Sequence, residues 1–181
     1  MGYEPLITTK ISDFELLSHM LIPGVGSFSS VMNEVDSCPE LKQSIISFAN
    51  SGRPILGICL GMQILGLGSD ESPGVPGLGL MNFHSSAMSR FANSPRTPHV
   101  GWNQVSFTKE SVLFEGVKSR TDFYFSHSYA VVDSENGICS TEYGSNFFSG
   151  VVNNNVYGVQ FHPERSQSYG TRVIRNFVGL R

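Results

Sequence analysis

Pro54-Ile55-Leu56-Gly57-Ile58-Cys59-Leu60-Gly61 is the stretch that decides the fold. An apolar, strand-like run leads into a cysteine with a glycine two residues to either side, and a helical pattern from Leu60 to Leu67 begins at once. This is the layout of a nucleophile elbow, a sharp strand-to-helix turn that lifts one side chain above the end of a sheet. Glycines belong there because neighbouring side chains would collide with so tight a turn. The helix start beside Cys59 is expected to favour the thiolate, the reactive form. The backbone N–H of Leu60 is then placed to stabilise an oxyanion. A cysteine by itself reads as a small buried hydrophobe. The strand before it and the helix after it turn the reading towards a nucleophile that attacks a carbonyl.

Such a nucleophile needs a base, and His162 has the context for one. Val156-Tyr157-Gly158-Val159-Gln160-Phe161 alternates and is β-rich, so it reads as a strand with His162 at its exit. Pro163 ends that strand, and Glu164 follows two residues after the histidine. A carboxylate there would hold the imidazole tautomer and stabilise the imidazolium formed on proton transfer. The plainer reading of His162 alone is a surface turn with a solvated glutamate. Cys59 and His162 each end an inferred strand, however, and in an open α/β sheet the carboxyl ends of strands meet at one edge, where sites form. Pro23-Gly24-Val25-Gly26 also follows a strand-like run. It reads either as a plain turn or as an oxyanion strand whose glycines let the Gly24–Val25 peptide aim the Val25 N–H at a substrate.

Three motifs now stand together: Pro23-Gly24-Val25-Gly26, Gly57 to Gln63, and Gln160-Phe161-His162-Pro163-Glu164-Arg165-Ser166. As a set they resemble the triad class of glutamine amidotransferases. Pro98-His99-Val100-Gly101-Trp102-Asn103 and Phe123-Tyr124-Phe125-Ser126-His127-Ser128-Tyr129 narrow the resemblance to the glutaminase subunits of imidazole glycerol phosphate synthases, in histidine biosynthesis. The resemblance implies a catalytic triad of Cys59, His162 and Glu164, oxyanion donors at Val25 and Leu60, and glutamine contacts at Gly24, Gly26, Gln63, Ser128 and Tyr129. It implies no cofactor and no metal. It implies a heterodimer with a (β/α)8-barrel cyclase subunit that consumes the ammonia. Trp102, the single tryptophan, and Tyr129 are candidates for that interface, while a core position is the other reading of Trp102.

The resemblance also predicts an opening strand and helix with an Asp-Tyr-Gly-x-Gly-Asn-type turn. This sequence opens instead at Gly2-Tyr3-Glu4-Pro5-Leu6-Ile7-Thr8, which resembles the family's second strand. In the family the opening unit lies beside the site and contributes to the synthase interface. Readings other than the histidine-pathway glutaminase remain: an amidotransferase for another synthase, such as one that aminates a sugar in surface-polysaccharide assembly, since the motifs separate near relatives poorly; a cysteine hydrolase acting alone; and, given the missing opening unit, a non-catalytic remnant that binds a synthase.

Composition bounds the rest. At 181 residues with 40% hydrophobic content, the chain is within the range of one domain, 1–181, with a real core. Formal charge is −3, from 12 basic and 15 acidic residues, which gives no footprint for nucleic acid. Only 15% of residues are charged, below the usual quarter, as expected if a partner covers part of the surface. Cys38, Cys59 and Cys139 lack metal-type spacing and read as reduced thiols of a cytoplasmic protein. No apolar run reaches membrane-spanning length.

The patterns predict strands at Leu6–Thr8, Met20–Ile22 and Pro54–Ile58, a helix over Pro39–Ala49, and the elbow helix. A Gly/Pro/Ser-rich loop over 66–79, strands and turns over 86–161, and a closing helix over Tyr169–Val178 follow. The expected architecture is a three-layer α/β fold, a largely parallel sheet with an antiparallel extension.

Overall fold

The strand that carries the elbow, β2 (Ile55–Ile58), is buried along its whole length. A computed structural model describes it within residues 4–93 and 96–181. Strand β1 (Met20–Ile22) and strand β10 (Val156–Val159) flank β2, both parallel to it. The three motif segments, 23–26, 59–61 and 160–164, therefore leave the same end of adjacent strands. A strand buried on both faces must be apolar throughout, which is why this one reads as a continuous run rather than an alternating one. Ile55 packs into one apolar cluster with Phe28, Met32 and Phe48. Leu56 and Ile58 pack into the other, with Phe125, Phe161 and Phe177.

The antiparallel extension is the larger part of the sheet. Beyond β10 runs β9 (Ser145–Asn153), then β8 (Gly137–Tyr143), β5 (His99–Phe107) and β6 (Thr121–His127), each antiparallel to its neighbour. On a second branch β7 (Tyr129–Val131) joins β9 to β4 (His84–Ala87), and β3 (Gly68–Ser69) adds in parallel.

Helix α2 (Pro39–Asn50) occupies the predicted range, with proline in its first turn and Gly52 beyond its end. Helix α4 (Gln167–Val178) buries Gly170, Val173 and Phe177 at helical spacing. Helix α1 (Phe28–Ser37) is not foreseen by the sequence reading. It is capped by the Ser27 hydroxyl, which accepts from the Ser30 amide, and it buries Phe28, Met32 and Val35. The elbow helix α3 (Leu60–Ile64) stops before Leu67. The loop after it wraps back: the Leu78 amide takes the Ile64 carbonyl, and the Leu80 and Met81 amides take that of Leu65.

One expected strand is absent. Leu6–Thr8 has no sheet partner among the described residues, and Ile7 is 95% exposed. A strand needs a ladder, and among the described residues β1 pairs only with β2. Gly2 and Tyr3 of that opening segment lie outside the described residues.

Glycine at the elbow is a packing requirement. A Cβ on Gly61 would sit 2.0 Å from the Ile22 carbonyl oxygen, and one on Gly24 would sit 2.2 Å from the Gly61 nitrogen. Backbone, not a flexible side chain, blocks both. Gly61→Ala is therefore expected to lower stability by about 2 kcal/mol, through forced separation of β1 from the elbow. Urea denaturation of the two proteins measures it, and a difference below about 0.5 kcal/mol would refute the close-approach argument.

Candidate active site

Cys59 sits between β2 and α3 with φ 53 and ψ −109, a conformation rare for any residue with a side chain. Its amide is held by the Val159 carbonyl at 2.8 Å, so β10 helps fix the turn. The sulfur faces a cavity of about 350 Å³. Gly24, Val25 and Gly26 line one side of it, Ser128 and Tyr129 another, and Leu60, Gln63 and His162 complete the set predicted from sequence. Glu164 stands just outside, with its side chain 55% exposed. It accepts a hydrogen bond from His162 Nδ1 at 2.7 Å. With Nδ1 as donor, the lone pair of the neutral imidazole is on Nε2.

The thiol is not ionised in this state. Burial pushes its pKa up to about 11, and the negative charges of Glu164 and Glu71 push the same way. The Leu60 amide and the Gln160 side chain oppose this and are outweighed. The expected pull of the helix start towards thiolate is present in the Leu60 amide but is outweighed by burial. The helix has five residues, and its terminal amide cannot match the cost of a buried sulfur anion. The protonated thiol donates to the Ser126 carbonyl at 3.7 Å and accepts from Gln160 Nε2 at 3.6 Å.

Gln63 is nearly fully buried, at 3% exposure, rather than solvated. Its Nε2 donates to the Tyr129 carbonyl and to Gln160 Oε1, both at 3.1 Å. Gln160 and Ser126 are site residues that the sequence reading did not single out. So is Glu71, on the loop over 66–79. Its carboxylate borders the cavity and accepts from the Phe28 amide at 3.0 Å, at the start of α1. An acidic residue next to Asp70 in a Gly/Pro/Ser-rich loop carries no signal of a site in sequence; only the folding of that loop over the cavity reveals it.

Trp102 is half-exposed on β5, which decides against a core position. It stands opposite Tyr124 of β6, ring centroids 6.1 Å apart, and the Arg165 guanidinium lies 4.4 Å from the Tyr124 ring centre. Tyr129 is half-buried at the cavity wall. Among the described residues no cluster of three or more histidine, cysteine or acidic side chains could hold a metal ion, and no helix is long and apolar enough to cross a membrane.

Comparison with known proteins places the chain in a family. The model of the family described as glutamine amidotransferase class-I fits residues 7–179. The HisH subunit of imidazole glycerol phosphate synthase from Pyrococcus furiosus is 44% identical over 177 residues, covering 96% of this chain and 88% of that one. The same subunit from Buchnera aphidicola is 37% identical, covering 99% and 89%. A crystal structure of a glutamine amidotransferase superposes with a TM-score of 0.73 at 18% identity, over 98% of this chain and 86% of its own. The glutaminase domain of Trypanosoma brucei CTPS, solved with bound acivicin, gives 0.62 at 15% identity, over 94% and 75%. At such identity the two structures speak for the fold alone, whereas the family match and the HisH relatives span nearly the whole chain. The chain belongs to the class-I glutamine amidotransferase family.

Proposed function

We propose that the chain is the glutaminase subunit of an imidazole glycerol phosphate synthase. It hydrolyses glutamine to glutamate and passes ammonia to a cyclase subunit in histidine biosynthesis, in the cytoplasm. The observation that supports this is the meeting of Cys59, Leu60 and His162 at one cavity of amino-acid size, with Glu164 holding His162 Nδ1 from just outside it. Glutamine lies with its α-carbon end towards Gly24, Gly26, Gln63, Ser128 and Tyr129. Glu71 supplies a carboxylate suited to the α-ammonium. His162 Nε2 takes the thiol proton as the sulfur attacks the side-chain amide carbon. The Leu60 and Val25 amides hold the oxyanion, a contribution of a few kcal/mol per donor. His162 then protonates the departing ammonia, and water hydrolyses the thioester.

The resting thiol, protonated and bonded to Ser126, fits an enzyme that waits for its partner. The partner is a (β/α)8-barrel cyclase forming a heterodimer with this chain, and it takes the ammonia directly through a sealed path. Its docking face includes the outward side of the β5–β6 hairpin, where Val100 and Trp102 stand opposite Ser126 and Tyr124. Ser126 belongs to both that face and the cavity rim. Docking there is expected to withdraw the Ser126 carbonyl from the thiol and turn the Val25 amide inward. The HisH names of the relatives count against sugar amination.

Glutamate release from glutamine tests the proposal. The chain is assayed alone and with the cyclase subunit plus its phosphorylated aminoimidazole-carboxamide nucleotide. At least about a hundredfold activation by the liganded partner is expected. Equal activity alone would point to a free-standing hydrolase. A folded chain inactive in both states would point to the non-catalytic remnant.

A further inference from the structure

His99 and His127 face each other across β5 and β6, a directly opposed cross-strand pair on the inward side of the hairpin. Both are buried, at 3% and 6% exposure. His99 is clamped between the rings of Tyr143 and Phe125, with centroids 3.9 Å and 4.8 Å away. Neither imidazole has a role in the mechanism above, yet both are fully used as hydrogen-bonding groups.

The chain of bonds has one direction. The Tyr129 carbonyl can only accept, so His127 Nδ1 donates to it, at 2.8 Å. A neutral His127 then accepts at Nε2 from His99 Nδ1, at 3.1 Å. His99 in turn accepts at Nε2 from Asn103 Nδ2, at 3.4 Å. Burial keeps both rings neutral, with pKa values lowered to about 4 for His99 and about 3 for His127. The Tyr129 carbonyl receives a second donor, Gln63 Nε2, which also donates to Gln160, and Gln160 donates to the Cys59 sulfur. An unbroken line of hydrogen bonds therefore runs from Asn103, beside Trp102, to the nucleophile.

We propose that His99 and His127 are positioning residues for glutamine capture: through the Tyr129 carbonyl they fix the Ser128–Tyr129 bend and the Gln63 and Gln160 amides that border the reactive sulfur. The proposal rests on the glutaminase reading of the cavity. Two imidazoles suit the task because each passes a donor along rigid ring geometry, which a flexible side chain does not. Removing the His99 N–H leaves His127 Nε2 buried without a donor and frees the Tyr129 bend to shift.

The test is covalent labelling of Cys59 by 6-diazo-5-oxo-L-norleucine, a glutamine analogue, in the chain assembled with the liganded cyclase. His99→Phe keeps the ring stack and removes the donor; His99→Asn restores a donor at the δ position. The apparent inhibitor constant is expected to rise at least about tenfold in His99→Phe and to recover at least half of that, on a logarithmic scale, in His99→Asn. A purely structural role would lower the fraction of protein that labels, leaving the constant of the labelled fraction unchanged, and that result would overturn the proposal. Failure of the unaltered enzyme to label would sink the glutaminase reading and this inference with it. Normal labelling by the unaltered enzyme, with an unchanged constant in His99→Phe, overturns the positioning role alone.

Discussion

Cys59→Ser in the assembled enzyme is expected to lower glutamine hydrolysis at least about a thousandfold, with little change in urea stability. The sulfur is small and the substitution leaves the elbow backbone alone, so the fold does not depend on it. The chemistry does. A serine hydroxyl is a far weaker acid than a thiol, and the proposed mechanism moves a proton from a buried sulfur instead of starting from a standing anion. A second arm separates those two designs. With its pKa pushed up to about 11, the free chain's thiol is almost wholly protonated at pH 7. Alkylation of Cys59 by iodoacetamide, followed by mass spectrometry, is therefore expected to be slow at pH 7 and to climb steadily through pH 9 and beyond. A plateau already reached near pH 7 would mean a preformed thiolate, and the waiting-state account would fall. Turnover within tenfold of normal in Cys59→Ser would remove Cys59 as the nucleophile.

What the sequence discloses and what it hides divide along a physical line. The elbow, β1, β2, α2 and α4 are legible because each is defined by local chemistry: apolar runs, a proline at a helix start, glycines after a helix end or where backbones touch. The pairing of His162 with Glu164 is legible for the same reason, since two residues of separation confine both to one turn. Helix α1 is hidden by its serines, which resemble a loop until Phe28, Met32 and Val35 are seen to share a buried face. Leu6–Thr8 has the composition of a strand, but pairing is a property of two segments, and no neighbour is present for it among the described residues. The hidden part of the site follows the same rule. Ser126, Gln160, Glu71 and the His99–His127 pair are brought in by strand register and loop wrapping. Of these, the histidines left a trace in the alternation of His99, Gly101, Asn103 and Val105 against Phe123, Phe125 and His127. That alternation gives the faces; it does not give the register that puts the two rings opposite one another.

The buried histidine pair also makes the fold sensitive to mild acid. In the unfolded chain each imidazole takes a proton near pH 6.5, whereas in the folded chain burial delays this to about 4 for His99 and about 3 for His127. The second imidazole at 3.1 Å and the nearby His162 add repulsion against a charge on His127. Between these limits the unfolded state binds more protons, so stability rises with pH there. The contribution is complete above about pH 6.5, declines as pH falls below that, and is fully lost by about pH 4 for His99 and about pH 3 for His127. From His99 alone the loss is roughly 3 kcal/mol, a large share of the 5–15 kcal/mol that typically holds a domain together. Asp70 cannot account for it: the Ala87 amide, with His84 and Arg90, lowers its pKa from 3.8, so its loss comes further into acid. Urea unfolding at pH 7 and at pH 4.5 measures the effect. The normal chain is expected to lose at least about 2 kcal/mol more between the two than a double variant with His99→Phe and His127→Leu. That variant starts less stable at pH 7, since the Tyr129 carbonyl loses a donor, but its acid slope is flatter because there is no imidazole left to protonate. Parallel slopes for the two proteins would mean that the pair is hydrated and titrates normally, and the directional hydrogen-bond chain from Asn103 to Tyr129 would have to be abandoned.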